Sequence, residues 1–301
     1  MQLPFYHSPY FLLCMANLFW SLNFIIGKLV GTVIPPATIS FFRWALPMAL
    51  YVYFCRRAIK EDLAVYKQHW LLVTILGGTG YCLNSVTVYY AVLHTSVINT
   101  SFINAFNPVV IALAGFVCFR TSLSARQVFG FLLAFIGVIW IVFQGDPAAI
   151  MDVRVNSGDV VMLINVVIWT IHTIMYKRYA KILPVQSLFA MMMVAGVVVT
   201  VPMMFIENWQ VGLDWVAQVS CEHILGLLAL CVFPSVLAYR FWNEALSQVS
   251  TDKAAISQYT IPVYTVIISV LFFNEGLQGF QLVGGLLIFA GVLLAMLHKS
   301  N

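Results

Sequence analysis

The chain has 301 residues, 62% hydrophobic and 9% charged, with a formal net charge of +4. A soluble domain carries roughly 25% charged residues, so no soluble core could hide this much apolar surface, and lipid must be the solvent for most of it. Nucleic-acid binding is excluded, because no basic run suited to it is present.

A spanning helix needs about 20 mostly apolar residues. Runs of that kind fall at 10–29, 37–55, 69–91, 96–118, 124–143, 157–178, 186–206, 222–245, 253–273 and 278–297, which predicts ten spans joined by short connections. The first run lacks a basic stretch before it and a small-residue cleavage site after it, so it reads as a retained helix rather than a signal peptide. Backbone polar groups must be satisfied inside the bilayer, and the alternating ten-residue segments of a barrel are absent, so helices are predicted throughout. The six cysteines are scattered through apolar runs with no CxxC pair, and read as small buried hydrophobes rather than metal ligands or disulfides. The sequon Asn99-Thr100-Ser101 lies at the mouth of an apolar run and reads as chance.

Lys and Arg set the orientation. With the N-terminus inside, one set of connections carries Arg56, Arg57, Lys60, Lys67, Arg120, Arg126, Lys177, Arg178, Lys181, Lys253 and Lys299. The other side has Arg154, Lys28 at a helix end, and the acids Asp146, Asp152, Glu207, Asp214, Glu222 and Glu275. The positive-inside rule then places both termini in the cytoplasm.

The chain also repeats itself. Trp20, Asn23 and Pro35 return as Trp169, His172 and Pro184, an offset of 149 residues. Asn107-Pro108, Gln127, Gly130 and Gly137 return as Ile261-Pro262, Gln281, Gly284 and Gly291, an offset of 154. Five spans per half invert the second half relative to the first. The predicted fold is therefore an all-α integral membrane protein of two inverted five-helix repeats, 1–148 and 149–301, meeting around a central site as in secondary transporters.

Particular motifs carry a resemblance. They are Trp20-Ser21-Leu22-Asn23-Phe24 ending in Lys28, Arg43 early in span two, and Tyr90-Ala91-Val92-Leu93 closing span three. The mid-span Pro108 and Pro262 belong to the same set, as does Asn274-Glu275-Gly276-Leu277 followed by Gln281, Gly284 and Gly291. In order, spacing and duplication they resemble the EamA family of the drug/metabolite transporter superfamily, over nearly the whole chain. The chain is also similar to the YddG-type amino-acid exporters of that family. The family pattern has an acidic residue before the fifth span of each half. Glu275 keeps it in the second half, whereas the first half has Phe119-Arg120-Thr121-Ser122. The resemblance implies a ten-helix exporter of small metabolites such as amino acids, in a bacterial inner membrane.

Polar side chains at mid-membrane depth should face a partner helix or a water-filled cavity. The repeat selects Trp20 with Trp169, Asn23 with His172, and Asn104 with Gln258; Tyr81, Asn84 and Tyr239 could add a wall. Indoles offer stacking surfaces, while amides and an imidazole offer donors and acceptors without fixed charge. Such a pocket suits a small amphipathic or zwitterionic solute, not a phosphate ester. Packing anchors remain open for the tryptophans, interhelical hydrogen bonds for Asn104 and Gln258, and a structural or proton-coupling role for His172. Pro108 and Pro262 read as helix kinks, and Lys28 as snorkelling to the outer interface. Arg43 is open between a helix-end carbonyl and a substrate carboxylate.

The leading function is alternating-access transport of a small amino-acid-like solute, in the export direction. No Walker-type loop supports ATP hydrolysis. The rival is an integral membrane enzyme acting on a lipid or small apolar substrate; its usual motifs (HExxH, GxSxG, paired Asp clusters, a His/Cys metal set) are missing. The charge rings of a channel are missing too. No cofactor or metal is expected. The expected partners are the solute, the bilayer and, as open alternatives, a proton or counter-substrate. The chain reads as a monomer, with a dimer open.

Overall fold

The computed structural model describes residues 8–119, 124–146, 155–179, 182–246, 248–249, 254, 256–273 and 275–296. Arg120, Thr121, Ser122, Asp152, Arg154, Lys181, Lys253, Asn274, Lys299 and the boundary between the two predicted halves lie outside the described residues.

Eight helices among the described residues are long and apolar enough to cross a membrane: α1 (Pro9–Gly31), α2 (Pro36–Gln68), α3 (Trp70–His94), α4 (Val97–Cys118), α5 (Ala125–Val142), α6 (Ser157–Tyr179), α7 (Gln186–Val211) and α8 (Cys221–Leu246). Two shorter apolar helices follow, α9 (Thr260–Phe273) and α10 (Gly279–Ala295), where the sequence predicts the ninth and tenth spans. The predicted second span stops at 55, but α2 runs 33 residues to Gln68, about 50 Å at 1.5 Å per residue. Pro47 does not end it, and its polar last turns are held by good helix formers, including the exposed Arg57–Glu61 pair four residues apart.

Large apolar side chains cover the outside. Trp209 is 91% exposed and Phe54 78%, with Leu271, Phe272, Phe205 and Val117 also open. A water-facing surface of this kind would aggregate, so lipid is the environment that fits it. This is a multi-pass membrane protein.

Helix directions follow from contacts along each pair. In α2 and α7, Ala37 N–H donates to Glu207 at one end, and Tyr66 OH donates to the Pro184 carbonyl at the other, so the two are antiparallel. Lys28 at the end of α1 pairs with Glu275 in the connection between α9 and α10. The expectation that Lys28 snorkels to the interface gives way to this ion pair, which joins its ammonium to an acid brought in from the opposite half. Near the same end, Gln281 donates to Asn99 Oδ1 (2.7 Å) and Asn99 lies against the buried Asp159, joining α4, α6 and α10.

The tightest crossing is α5 on α10. A Cβ placed at Gly130 would lie 2.4 Å from the Gly291 carbonyl oxygen, and one at Gly137 would lie 2.6 Å from that of Gly284. Exchanging each glycine for its counterpart 154 residues away turns the first contact into the second. Between helices in lipid there is no hydrophobic drive, so close backbone approach through small residues supplies the packing.

Buried side chains form three clusters. The largest joins the Lys28 ends of the helices through Phe24, Val30, Ile39, Tyr89, Ile98, Ile141 and Met162, and follows the α5–α10 crossing to Phe131 and Ala295 at the other end. A second joins α2, α3 and α7 through Trp44, Tyr66, Leu76, Tyr81, Leu188 and Met193. A third joins Leu12, Leu13 and Ala245.

Gly137→Ala should lower stability by about 1–3 kcal/mol, because the added methyl meets backbone that cannot yield. Gly115→Ala, with open space around it, should be neutral or slightly stabilising. Thermal unfolding in detergent checks the pair; equal melting temperatures would contradict the crossing.

Candidate functional site

The site begins with two interrupted helices. Pro108 has no N–H for the Asn104 carbonyl four residues back, so α4 turns at Ala105–Phe106. The side chain of Asn107 replaces the lost donor: its Nδ2 donates to Asn104 O and to Asn104 Oδ1, each at 2.9 Å. In the second half Pro262 leaves the Gln258 carbonyl without its usual donor. The chain turns at Gln258–Tyr259, and Ile261 N–H donates to that carbonyl at 2.9 Å. Backbone that departs from a regular helix at membrane depth is tolerated where it borders a cavity or is buried in protein.

Two more departures flank these. α3 widens to a π turn over Gly78–Leu83, and α8 does so over Phe233–Leu237. These segments also stand 154 residues apart to within one residue. Asn84 follows the first directly, and Tyr239 follows the second after Ala238.

Both proline breaks line one cavity of about 260 Å³, together with Asn84 and Tyr239 just beyond the π turns. That volume suits a small metabolite, since sites for drug-sized ligands run from about 300 to 1,000 Å³. Of the residues singled out from sequence, Trp20, Asn23, Asn84, Asn104, Trp169, Tyr239 and Gln258 line it, as do Arg43, Pro108 and Pro262. Trp20 meets Tyr239 edge-on at 5.7 Å and Trp242 at 5.1 Å, which gives one side of the cavity an aromatic wall. Trp20 packs on the largest buried cluster, Tyr239 on the second and Trp242 on the third, so the cavity lies where the three meet. No hydrogen bond among the described residues uses the side-chain amides of Asn84 or Gln258, or the indole N–H groups of Trp20, Trp169 or Trp242. These donors are available to a solute.

Arg43 is the one charged side chain in this wall among the described residues, and it is 5% exposed. Its Nε donates to Ser235 Oγ and its Nη1 to Tyr89 OH, both at 2.9 Å. Each hydroxyl passes its own proton on: Ser235 to the Leu230 carbonyl (2.9 Å) and Tyr89 to Asn23 Oδ1 (3.0 Å). The guanidinium lies 4.8 Å from the ring centre of Trp44. Of the two options open from the sequence, a helix-end carbonyl is not its partner; neutral hydroxyls are.

Two predicted site residues sit elsewhere. Tyr81 is buried in the second cluster, edge-on to Trp44 at 4.7 Å. Residues three apart share a face in an α-helix, but the wider π turn through Gly78–Leu83 moves Tyr81 off the face that Asn84 presents. His172 is also outside the lining. Its Nδ1 meets the Leu76 carbonyl at 3.1 Å and so carries the proton there, and its ring lies against the backbone of Gly80. It stacks behind Trp169 at 5.2 Å, so it backs a cavity residue while its repeat mate Asn23 faces the cavity itself.

The structure adds Phe24, Val88, Asn107, Trp242 and Tyr259 to the lining. Trp242 stands 154 residues from Val88, and Tyr259 the same distance from Ala105. Neither counterpart is polar or aromatic, so a repeat match by residue type passes over both.

The profile of the EamA-like transporter family matches residues 7–143 and 156–297. The chain is similar to a Bacillus subtilis protein named "Uncharacterized transporter YyaM", 25% identical over 95% of this chain and 92% of that one. It is also similar to a Salmonella typhimurium protein named "Probable amino-acid metabolite efflux pump", 24% identical over 94% and 92%. A third relative, from Streptantibioticus cattleyicolor, is named "Probable terminal-alkyne amino-acid exporter" and is 23% identical over 74% and 72%. A crystal structure superposes with a TM-score of 0.62 over 96% of this chain and 98% of the other at 19% identity, a likeness of fold alone.

His172→Phe removes the donor to Leu76 O and should cost about 1–3 kcal/mol of stability while leaving solute affinity in place. Calorimetric unfolding and a binding titration on the same variant separate the two. Lost affinity at unchanged stability would put His172 among the solute contacts.

Proposed function

We propose that this chain, which belongs to the EamA-like transporter family, exports a small amino-acid-type solute by alternating access through the cavity at the centre of its helices. The observation that carries the proposal is the lining: three indoles and the unengaged amides of Asn84 and Gln258, contributed by both halves of the chain. Indoles present stacking faces and N–H donors, and amides orient a polar group without imposing charge. The names of two relatives point toward amino-acid efflux.

The proposal includes ten spans, α9 and α10 completing the set, in two inverted repeats divided near 148. Three observations support it. The family profile fits the chain in two successive pieces. The glycine contacts of α5 and α10 exchange under the repeat offset, and the π turns and proline breaks recur at corresponding places. We also assign the Lys28 end to the outside and both termini to the cytoplasm on the distribution of Lys and Arg, with a bacterial inner membrane as the location. Transport consists of the two halves rocking around the cavity, with the breaks before Pro108 and Pro262 absorbing the bend.

Trp20→Ala and Trp169→Ala should each weaken binding of the transported solute while leaving folded protein in the membrane. The solute is found first by screening amino acids, nucleosides and organic cations for thermal stabilisation of the purified chain, since a ligand of the folded state raises its apparent stability. Normal transport by both variants would make the indoles packing groups only. Cysteines introduced at Lys60 and Asp214 should label from opposite sides of sealed vesicles; labelling of both from one side would overturn the topology.

A further inference from the structure

We propose that Arg43 is the carboxylate anchor of the cavity, so that the solute binds as a carboxylate held by this guanidinium. The inference rests on the transport reading above and specifies the charge state of what the cavity accepts.

The argument starts from an uncompensated charge. Arg43 is 5% exposed, and no acidic side chain among the described residues forms an ion pair with it. Its hydrogen-bond partners, Ser235 and Tyr89, are neutral, and both are oriented by onward bonds so that their oxygens accept from Arg43. This holds the guanidinium still without neutralising it. A buried charge left unpaired is costly, and breaking a buried pair by removing one partner is among the most damaging changes a protein can suffer. A protein that keeps such a group beside an open cavity, fixed on three sides by Ser235, Tyr89 and the face of Trp44, has its missing counter-charge in the ligand.

The chemistry of the group narrows the class. Guanidinium presents a planar fork of donors matched to a carboxylate. The other cation of the region, Lys28, is already paired with Glu275 and does not line the cavity. A phosphate ester, with more charge to neutralise, would find one cation and otherwise uncharged polar groups. One carboxylate is what the wall can match. The aromatic side of Trp20, Tyr239 and Trp242 takes the apolar remainder.

The test uses the full chain purified in detergent, in low-salt buffer with gluconate as the anion, and reads ligand-dependent thermal stabilisation. The probes are L-phenylalanine against L-phenylalaninamide, and 3-phenylpropionate against 3-phenylpropionamide. In the wild type each carboxylate should bind about 10- to 100-fold more tightly than its amide, the range expected for charge-assisted hydrogen bonds. Arg43→Gln should abolish that preference and Arg43→Lys should keep part of it. If Arg43→Gln does not fold, the wild-type comparison and Arg43→Lys still decide. Equal binding of acid and amide overturns the anchor while leaving amino-acid transport standing. Binding of 3-phenylpropionate but not L-phenylalanine keeps the anchor and overturns the amino-acid reading. Stabilisation by chloride alone, or by neither carboxylate, overturns the anchor.

Discussion

Hydrocarbon offers no hydrogen bonds, so every polar group at membrane depth must find its partner inside the protein or at a wet cavity. The interior of this chain is arranged around that constraint. Where Pro108 takes away a backbone donor, Asn107 supplies one from its side chain. Where α8 widens, Ser235 reaches the Leu230 carbonyl five residues back. Asn165 spans from α6 to Asn84 O and Thr87 Oγ1 of α3, at 2.8 Å each. Around the cavity, the amides of Asn84 and Gln258, three indole N–H groups and one guanidinium without a counter-charge face the space a solute would fill. Function is thus the remainder of the same accounting that builds the fold.

A second constraint follows from the first. Helices in lipid gain nothing from hydrophobic exclusion of one another, so they associate through contact and specific bonds. The glycines that let α5 meet α10 at backbone distance provide the contact. At the Lys28 end, the Lys28–Glu275 pair and the Asn99–Gln281 bond provide the bonds. Those attachments link elements distant in sequence and are few enough to be parted, whereas α5 on α10 is too close-fitting to separate easily. Movement is therefore expected at the former, with the latter as a fixed seam.

Much of this was legible in the sequence, for identifiable reasons. Apolar runs of spanning length mark helices because lipid demands them. Trp20, Trp169, Asn104 and Gln258 could be placed at a common site because the repeat puts equivalent residues at equivalent depth. Tyr81 could not be placed, because its direction depends on a π turn through Gly78–Leu83 that no local pattern announces, and His172 could not, because its partner is the Leu76 carbonyl 96 positions away. Trp242 and Tyr259 were missed because their counterparts, Val88 and Ala105, look like ordinary helix residues. The Lys28–Glu275 pair bridges 247 positions, and only the folded chain brings it together.

The central claim is that the solute occupies the cavity between Trp20, Arg43, Asn104 and Gln258. It is tested most directly by solute protection of a cysteine placed at Gln258, in a chain whose six native cysteines are replaced by alanine. The rate of alkylation by a small maleimide is measured with and without the solute that stabilises the protein. A cysteine placed at exposed Trp209 serves as the reference. The account predicts that saturating solute slows reaction at position 258 severalfold and leaves position 209 unchanged. Equal slowing at both positions, or none at 258, would contradict it.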